Sequence, residues 1–195
     1  MKTKEFKEKY SNKTSKKPIK DKKKVDIKWV TIISIISFII SLIFSFIGEV
    51  VIPNTHILVS AFLVFIFIGL GILFDIIGIS VTVADIKIFN SMATKKVKGA
   101  SLAVRLIKKA DRVSSFCNDV IGDICGIISG STGLSIAIVV SNKLDCSLLL
   151  VTLLITAMIA AITIGGKAIG KSYAINKSNL ILFRFVSVLS IFYRK

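Results

Sequence analysis

Long apolar stretches alternate with short charged segments along the chain. Four stretches contain at most one charged residue each, and they cover residues 29–48, 57–84, 124–142 and 146–166. An α-helix rises about 1.5 Å per residue, so roughly 20 apolar residues cross a hydrocarbon core about 30 Å thick. We expect the third helix to begin earlier than its apolar stretch, near Asn118. The pattern predicts an all-α, polytopic transmembrane protein with four spans.

The segment between the second and third spans, residues 85–113, mixes apolar and charged residues at helical spacing. Ile86, Phe89, Ala93 and Val97 share one face. Gly99 then interrupts the pattern, before a second stretch that also separates basic from apolar positions. We predict a juxtamembrane hairpin of two short amphipathic helices at the membrane surface. The alternative is a mobile basic loop.

The two ends of the chain differ from the spans. Residues 1–28 hold twelve Lys and no Arg, which is typical of a solvated, disordered tail. Residues 179–195 are largely apolar with Arg184 near the middle, which favours an amphipathic interfacial helix over a fifth span. The predicted organisation is therefore a lysine-rich tail (1–28), an additional N-terminal transmembrane helix with an outer loop (29–56), a transmembrane module containing the hairpin (57–178) and an interfacial helix (179–195).

Composition excludes several classes of protein. Hydrophobic residues make up 53% of the 195 residues and the mean hydropathy is +0.79, which is too apolar for a soluble domain. One His, three Cys and two Pro argue against a metal cage, a disulfide framework or a Pro-rich linker. Secreted scaffolds, collagen, coiled coils and disordered proteins are excluded, and a membrane protein is indicated.

The positive charges predict the orientation of the spans. The formal net charge is +16, and 26 of the 27 Lys and Arg residues lie in residues 1–28, 85–118 and 166–195. These segments would all face the same side, which the positive-inside rule makes the cytoplasm. We therefore expect a multi-pass protein of the cell (inner) membrane with both termini cytoplasmic.

A lysine-rich tail can bind either nucleic acid or anionic lipid. The tail has two aromatic residues, no Arg and no nucleic-acid-binding motif, so binding to DNA or RNA is not expected. Anionic lipid head groups are the expected partner. Docking of a protein partner on the tail is left open.

Polar residues near the spans are the candidate site residues, because charge at bilayer depth requires a partner or a function. Ser115, Asp119 and Asp123 are spaced by four residues and share a helix face, with Asn118 beside them. Asp75 lies low in the second span. Such oxygen donors suit hard cations such as Mg²⁺ and Na⁺. The alternative is that Asp119 and Asp123 pair with Lys or Arg of the hairpin.

Gly122, Gly126 and Gly130 recur every four residues on the third span. Small residues at this spacing let helices approach closely, so this face is predicted to pack against another helix. The partner helix could belong to the same chain or to a second copy, and a homodimer through this face is one possibility.

Enzymatic chemistry finds no support in the sequence. His56 is the sole histidine, and no CxxC, nucleophile elbow or HExxH occurs. We do not expect an enzyme.

Four motifs resemble those of the membrane module of the cyclin-M/CorB family of magnesium and cobalt transporters. Residues 78–84 (GISVTVA) resemble the serine-rich end of the family's first helix. Residues 103–107 (AVRLI) with 111–113 (DRV) are similar to its hairpin, 117–121 (CNDVI) to the start of its next helix, and 166–172 (GKAIGKS) to the segment after its last helix. The resemblance covers about residues 57–195.

The resemblance implies a divalent-cation transporter in which Ser80, Asn118 and Gly166 contribute to the metal site. Asp119 and Asp123 would supply carboxylates, and Mg²⁺ is the expected transported or bound ion, with no other cofactor. Two positions depart from the family, because Val81 and Lys167 stand where the family has Glu. The paired CBS and CorC-type domains that usually follow the module do not occur within the 195 residues, so a truncated version of the module is expected.

Two functions are therefore compatible with the sequence. The first is a minimal CorB-like divalent-cation transporter, and the second is a non-transporting scaffold or regulator whose cation site is silenced by Val81 and Lys167. A proton- or sodium-coupled carrier ranks lower, because no inverted repeat relates the pairs of spans.

Overall fold

The computed structural model describes residues 27–51 and 56–192, with side chains described for 27–46 and 56–191. All regular structure in these ranges is helical, which confirms the predicted all-α fold. Apart from Ile27 and Lys28, the predicted tail lies outside the described residues. The elements are α1 (Ile27–Val51), α2 (Ile57–Val83), α3 (Ile86–Thr94), α4 (Ala100–Lys108), α5 (Ala110–Ser115), a π-helical turn (Phe116–Ile121), α6 (Gly122–Leu144), α7 (Leu148–Asn176) and α8 (Ser178–Phe192).

Four helices in the described part of the chain are long and apolar enough to cross a membrane, as the sequence predicted. They are the Ile27–Phe46 part of α1, α2, the continuous helix Ala110–Leu144 formed by α5, the π turn and α6, and α7. Two predicted limits are wrong. The third helix begins at Ala110 rather than near Asn118, and the fourth continues ten residues past Gly166 to Asn176. Glycine alone costs only about 1 kcal/mol in a helix interior, and no proline follows to remove a backbone donor.

Helices α2, α6 and α7 pack against one another in pairs. Glycines bring the backbones close: a Cβ at Gly71 of α2 would lie 3.3 Å from Cβ of Cys125 in α6, and one at Gly170 of α7 would lie 2.8 Å from Cγ1 of Ile76. Small residues of this kind let helices pack closely in lipid, where the hydrophobic effect does not drive helices together. The result is a three-helix junction that positions the polar residues.

The two short helices α3 and α4, together with α8, form a collar around the end of α2. Phe89 of α3, Ala103 of α4, and Leu182 and Val186 of α8 are buried in one cluster with the last turns of α2. The backbone N–H of Asp85 donates to Oδ1 of Asn179 at 2.9 Å, which ties the start of α3 to α8. The predicted interfacial helix therefore packs on the protein along one side instead of contacting lipid alone.

Gly99 makes the turn between α3 and α4, and its replacement gives a first prediction. Its φ is +82°, and a Cβ there would lie 3.0 Å from Cγ1 of Val186. The left-handed backbone costs a residue with a side chain about 1–2 kcal/mol. Gly99→Ala is therefore expected to lower the thermal stability of the purified protein in detergent. Gly165→Ala is the control, since its Cβ meets no atom within 4 Å, and an equal loss in both variants would contradict the assigned role of Gly99.

Candidate polar site between the spans

A π-helical turn interrupts the third spanning helix at Phe116–Ile121. The turn carries Cys117, Asn118 and Asp119, three of the residues that the sequence singled out by motif or polarity. Single π turns inside α-helices occur frequently at functional sites, because they widen the helix locally and redirect side chains. Sequence periodicity gave no sign of this turn.

Asn118 directs its amide against α2. A Cβ added to Gly78 would overlap Oδ1 of Asn118 and lie 3.0 Å from its Cγ, so the absence of a side chain at position 78 makes room for the amide. The Nδ2 atom donates to Oγ of Ser114 at 3.4 Å, whereas Oδ1 is buried without a hydrogen-bond partner among the described residues. Leaving a buried acceptor unpaired costs about 1–3 kcal/mol, so this oxygen is a polar group of the junction whose burial is uncompensated by the described residues.

Lys167 of α7 reaches into the three-helix junction. Its Nζ lies 3.6 Å from the position that a Cβ at Gly122 would take. Neither a hydrogen bond nor an ion pair joins Lys167 to another residue in the described part of the chain. A half-buried ammonium at the edge of a bilayer core is costly without a compensating partner, so it marks the junction as a polar site.

Asp75 of α2, which the predicted metal set omitted, lies on the side of its helix that faces the third spanning helix. It is four residues after Gly71, which faces Cys125 of α6, and three before Gly78, which faces Cys117 and Asn118 of the π turn. Residues at this spacing share one side of a helix, so the half-buried Asp75 side chain starts toward the junction. The spacing of Asp75 from the two glycines was the signal in the sequence that identifies it.

Ser80 and Gly166, two of the predicted ligands, have packing roles in the structure. The Ser80 side chain is fully buried, and its Oγ donates to the carbonyl oxygen of Ile76 at 2.7 Å. Ser80 is two residues past Gly78, about 200° around the helix, so it points away from Asn118. Gly166 lies inside the continuous helix α7, where an added Cβ would overlap Ile72 of α2. Its carbonyl belongs to the helical ladder and not to a turn.

Asp119 and Asp123, the two predicted carboxylate ligands, are exposed on the outside of their helix. They do not join the buried amide of Asn118, and they form no ion pair with the described basic residues of the hairpin either. Over the described ranges, no group of three His, Cys, Asp or Glu side chains is placed to hold a metal ion. The metal set of Ser80, Asn118, Asp119, Asp123 and Gly166 therefore stays a prediction, and within it Asn118 presents a buried oxygen without a partner among the described residues.

The three glycines on one face of α6 differ in what lies against them. Gly122 lies against Lys167, whereas a Cβ at Gly126 or at Gly130 would meet no atom within 4 Å. No helix of the described chain therefore packs on these two glycines. A homodimer through the Gly122/Gly126/Gly130 face stays a prediction, and its accessible part is Gly126 and Gly130.

No protein-family model, no curated protein and no solved structure matches this chain. The helices themselves support the broad assignment, because four of them have the length and the composition of membrane spans. The chain is an integral membrane protein. A more specific function must be argued from the residues of the three-helix junction.

Proposed function

We propose that this chain is a non-transporting membrane scaffold or regulator built on a CorB-like module, whose polar site is filled by its own Lys167 ammonium. Both termini and the collar would face the cytoplasm of the cell membrane, in accordance with the positive-inside rule. The lysine-rich tail would contact anionic lipid head groups.

The position of Lys167 is the observation that carries this proposal. Its Nζ lies against Gly122, which follows Asn118 by four residues on the third spanning helix. Two unit charges 4 Å apart interact by about 4 kcal/mol at an effective dielectric constant of 20, so the ammonium would strongly repel a divalent cation in the same space. Asp119 and Asp123, the two predicted carboxylate ligands, do not offset this repulsion from inside, because both lie on the exposed side of the helix.

The family resemblance points in the same direction. Lys167 stands at the position where the cyclin-M/CorB motif has Glu, and Val81, which is fully buried, replaces the other Glu. A tethered cation supplied by the chain would substitute for the ion that the family binds. The module would then keep its helical architecture while losing the exchangeable ion that transport requires.

A second candidate, a minimal divalent-cation transporter, is favoured by one observation. Oδ1 of Asn118 is buried without a partner among the described residues, and it lies at a π turn. An unpaired amide oxygen of this kind is a suitable ligand for a hard cation. The half-buried Asp75 of α2 would then be a candidate carboxylate ligand, and Lys167 would have to withdraw for the ion to enter.

Titration with Mg²⁺ distinguishes the two functions. We expect the thermal stability of the wild-type protein in detergent to show no saturable response to Mg²⁺ beyond that of matched ionic strength. Lys167→Glu is expected to gain a saturable stabilisation, because an ion that binds only the folded state stabilises it. Lys171→Glu, at an exposed position one turn along α7, is the control for charge reversal and should not respond.

Each outcome of the titration supports or overturns one of the two functions. A saturable response of the wild type would overturn the proposal and support the transporter, which Mg²⁺ uptake into proteoliposomes would then test. A response of Lys167→Glu alone supports the filled site. If neither protein responds, the junction is not a cation site and the assignment of Lys167 as its occupant is wrong.

A further inference from the structure

An apolar cavity lies between α1, α2 and α6, and it shares Cys125 with the polar junction. Its volume is about 290 Å³, and its ten lining side chains are all aliphatic, aromatic or cysteine. Phe44 and Phe67 meet edge to face on one wall, with ring centroids 6.2 Å apart. Toward the collar the lining continues through Phe74 of α2 and Phe116, the first residue of the π turn.

The apolar lining favours hydrocarbon over water as the content of the cavity. Apolar cavities of roughly 150 Å³ lined by Leu, Ile and Phe stay dry and take up apolar guests, because water finds no hydrogen-bond partners there. This cavity is larger, has the same kind of lining and lies among membrane-spanning helices. A lipid acyl chain is the apolar group that surrounds such helices on every side.

Basic residues lie beyond the collar end of the cavity. The N–H of Phe116 donates to the carbonyl oxygen of Arg112, so one regular turn separates the two residues and their side chains share a face. Arg112, Lys108 and Lys109 are exposed in this region, where the exposed carboxylates are those of Asp111 and Asp119. A guanidinium matches the geometry of a phosphate group better than an ammonium does, which makes Arg112 suitable for a lipid head group.

We propose that the cavity binds one acyl chain of an anionic glycerophospholipid from the leaflet on the collar side, with the lipid phosphate at Arg112. The occupant is a phospholipid with a net negative head group and not a free fatty acid or a second protein chain. This goes beyond the proposed function, since it requires nothing of Lys167 or of a cation site.

Native mass spectrometry of the purified full-length chain tests the proposal, after incubation with vesicles of equal parts phosphatidylglycerol and phosphatidylcholine. The wild type is expected to retain one phosphatidylglycerol per chain in preference to phosphatidylcholine. Leu70→Trp places a larger side chain on the cavity wall and should lower retention by about tenfold. Leu73→Trp, three residues further on α2 and 51% exposed, lies outside the cavity lining and should retain lipid as the wild type does.

Arg112→Gln tests the head group separately, at an exposed position where the fold does not depend on a buried side chain. It is expected to keep a bound phospholipid but to lose the preference for phosphatidylglycerol. Equal retention by Leu70→Trp and Leu73→Trp would exclude the cavity as the binding site. An unchanged head-group preference in Arg112→Gln would overturn the assignment to Arg112, and this result is decisive even if Leu70→Trp fails to fold.

Discussion

Phe89→Ala is expected to lower the free energy of unfolding by about 3–5 kcal/mol, because truncation of a buried Phe loses both its transfer free energy and its packing. The Phe89 side chain is 1% exposed and lies in the cluster formed by the collar and the end of α2, with Val81, Ala103 and Leu182 as neighbours. None of these small or aliphatic neighbours can fill the space left by a ring without moving a helix. Thermal and chemical unfolding of the purified protein in one detergent would measure the loss.

Ile88→Ala provides the matched control for this measurement. Ile88 precedes Phe89 on the same helix but is 43% exposed, so its truncation should change stability by no more than about 0.5 kcal/mol. If the two variants lose the same free energy of unfolding, then Phe89 does not hold the collar in place, and α3 does not pack against α2 and α8 through this side chain.

Gly78→Ala is expected to destabilise the protein by about 1–3 kcal/mol, the usual cost of an additional carbon in a filled interior. The new Cβ would overlap the Asn118 amide and lie 3.2 Å from Cβ of Cys117, which belongs to the buried cluster. The amide would have to turn away, which would move its unpaired oxygen out of the junction. The midpoint of thermal unfolding should fall accordingly.

Gly69→Ala is the control, because a Cβ at position 69 of the same helix meets no atom within 4 Å. Alanine is favoured over glycine in a helix interior by about 0.8–1 kcal/mol, so this variant should be neutral or more stable than the wild type. The two substitutions are chemically identical and are expected to have effects of opposite sign. A gain of stability in Gly78→Ala would mean that Asn118 does not pack on Gly78.

The four spans could be predicted because length and apolarity alone define them, and Gly99 could be predicted as a break because it interrupts an amphipathic pattern. The start of the third helix could not. Residues 110–117 are polar and partly charged, as in a loop, but they are helical because α5 continues directly into the π turn and α6. The end of α7 was missed for a similar reason, since Gly170 and Ala174 beyond Gly166 are buried against the rest of the protein.

For the candidate site, the sequence predicted which residues are important but not which of them come together. Polarity within an apolar stretch identified Asn118, Asp75 and Lys167, but which of them meet depends on how the helices are rotated against one another. That rotation is set by glycine contacts such as Gly78 with Asn118. Motif resemblance selected Ser80 and Gly166 instead, but the Ser80 hydroxyl bonds within its own helix and Gly166 packs on Ile72 of α2.

The π turn joins the two parts of the molecule through consecutive residues. Cys117 is packed in the cluster that the collar shares with α2, and Asn118 is the residue whose oxygen enters the junction. The buried cluster of the collar and the junction of the spans therefore meet at one peptide bond, between Cys117 and Asn118, and a substitution at either residue bears on both.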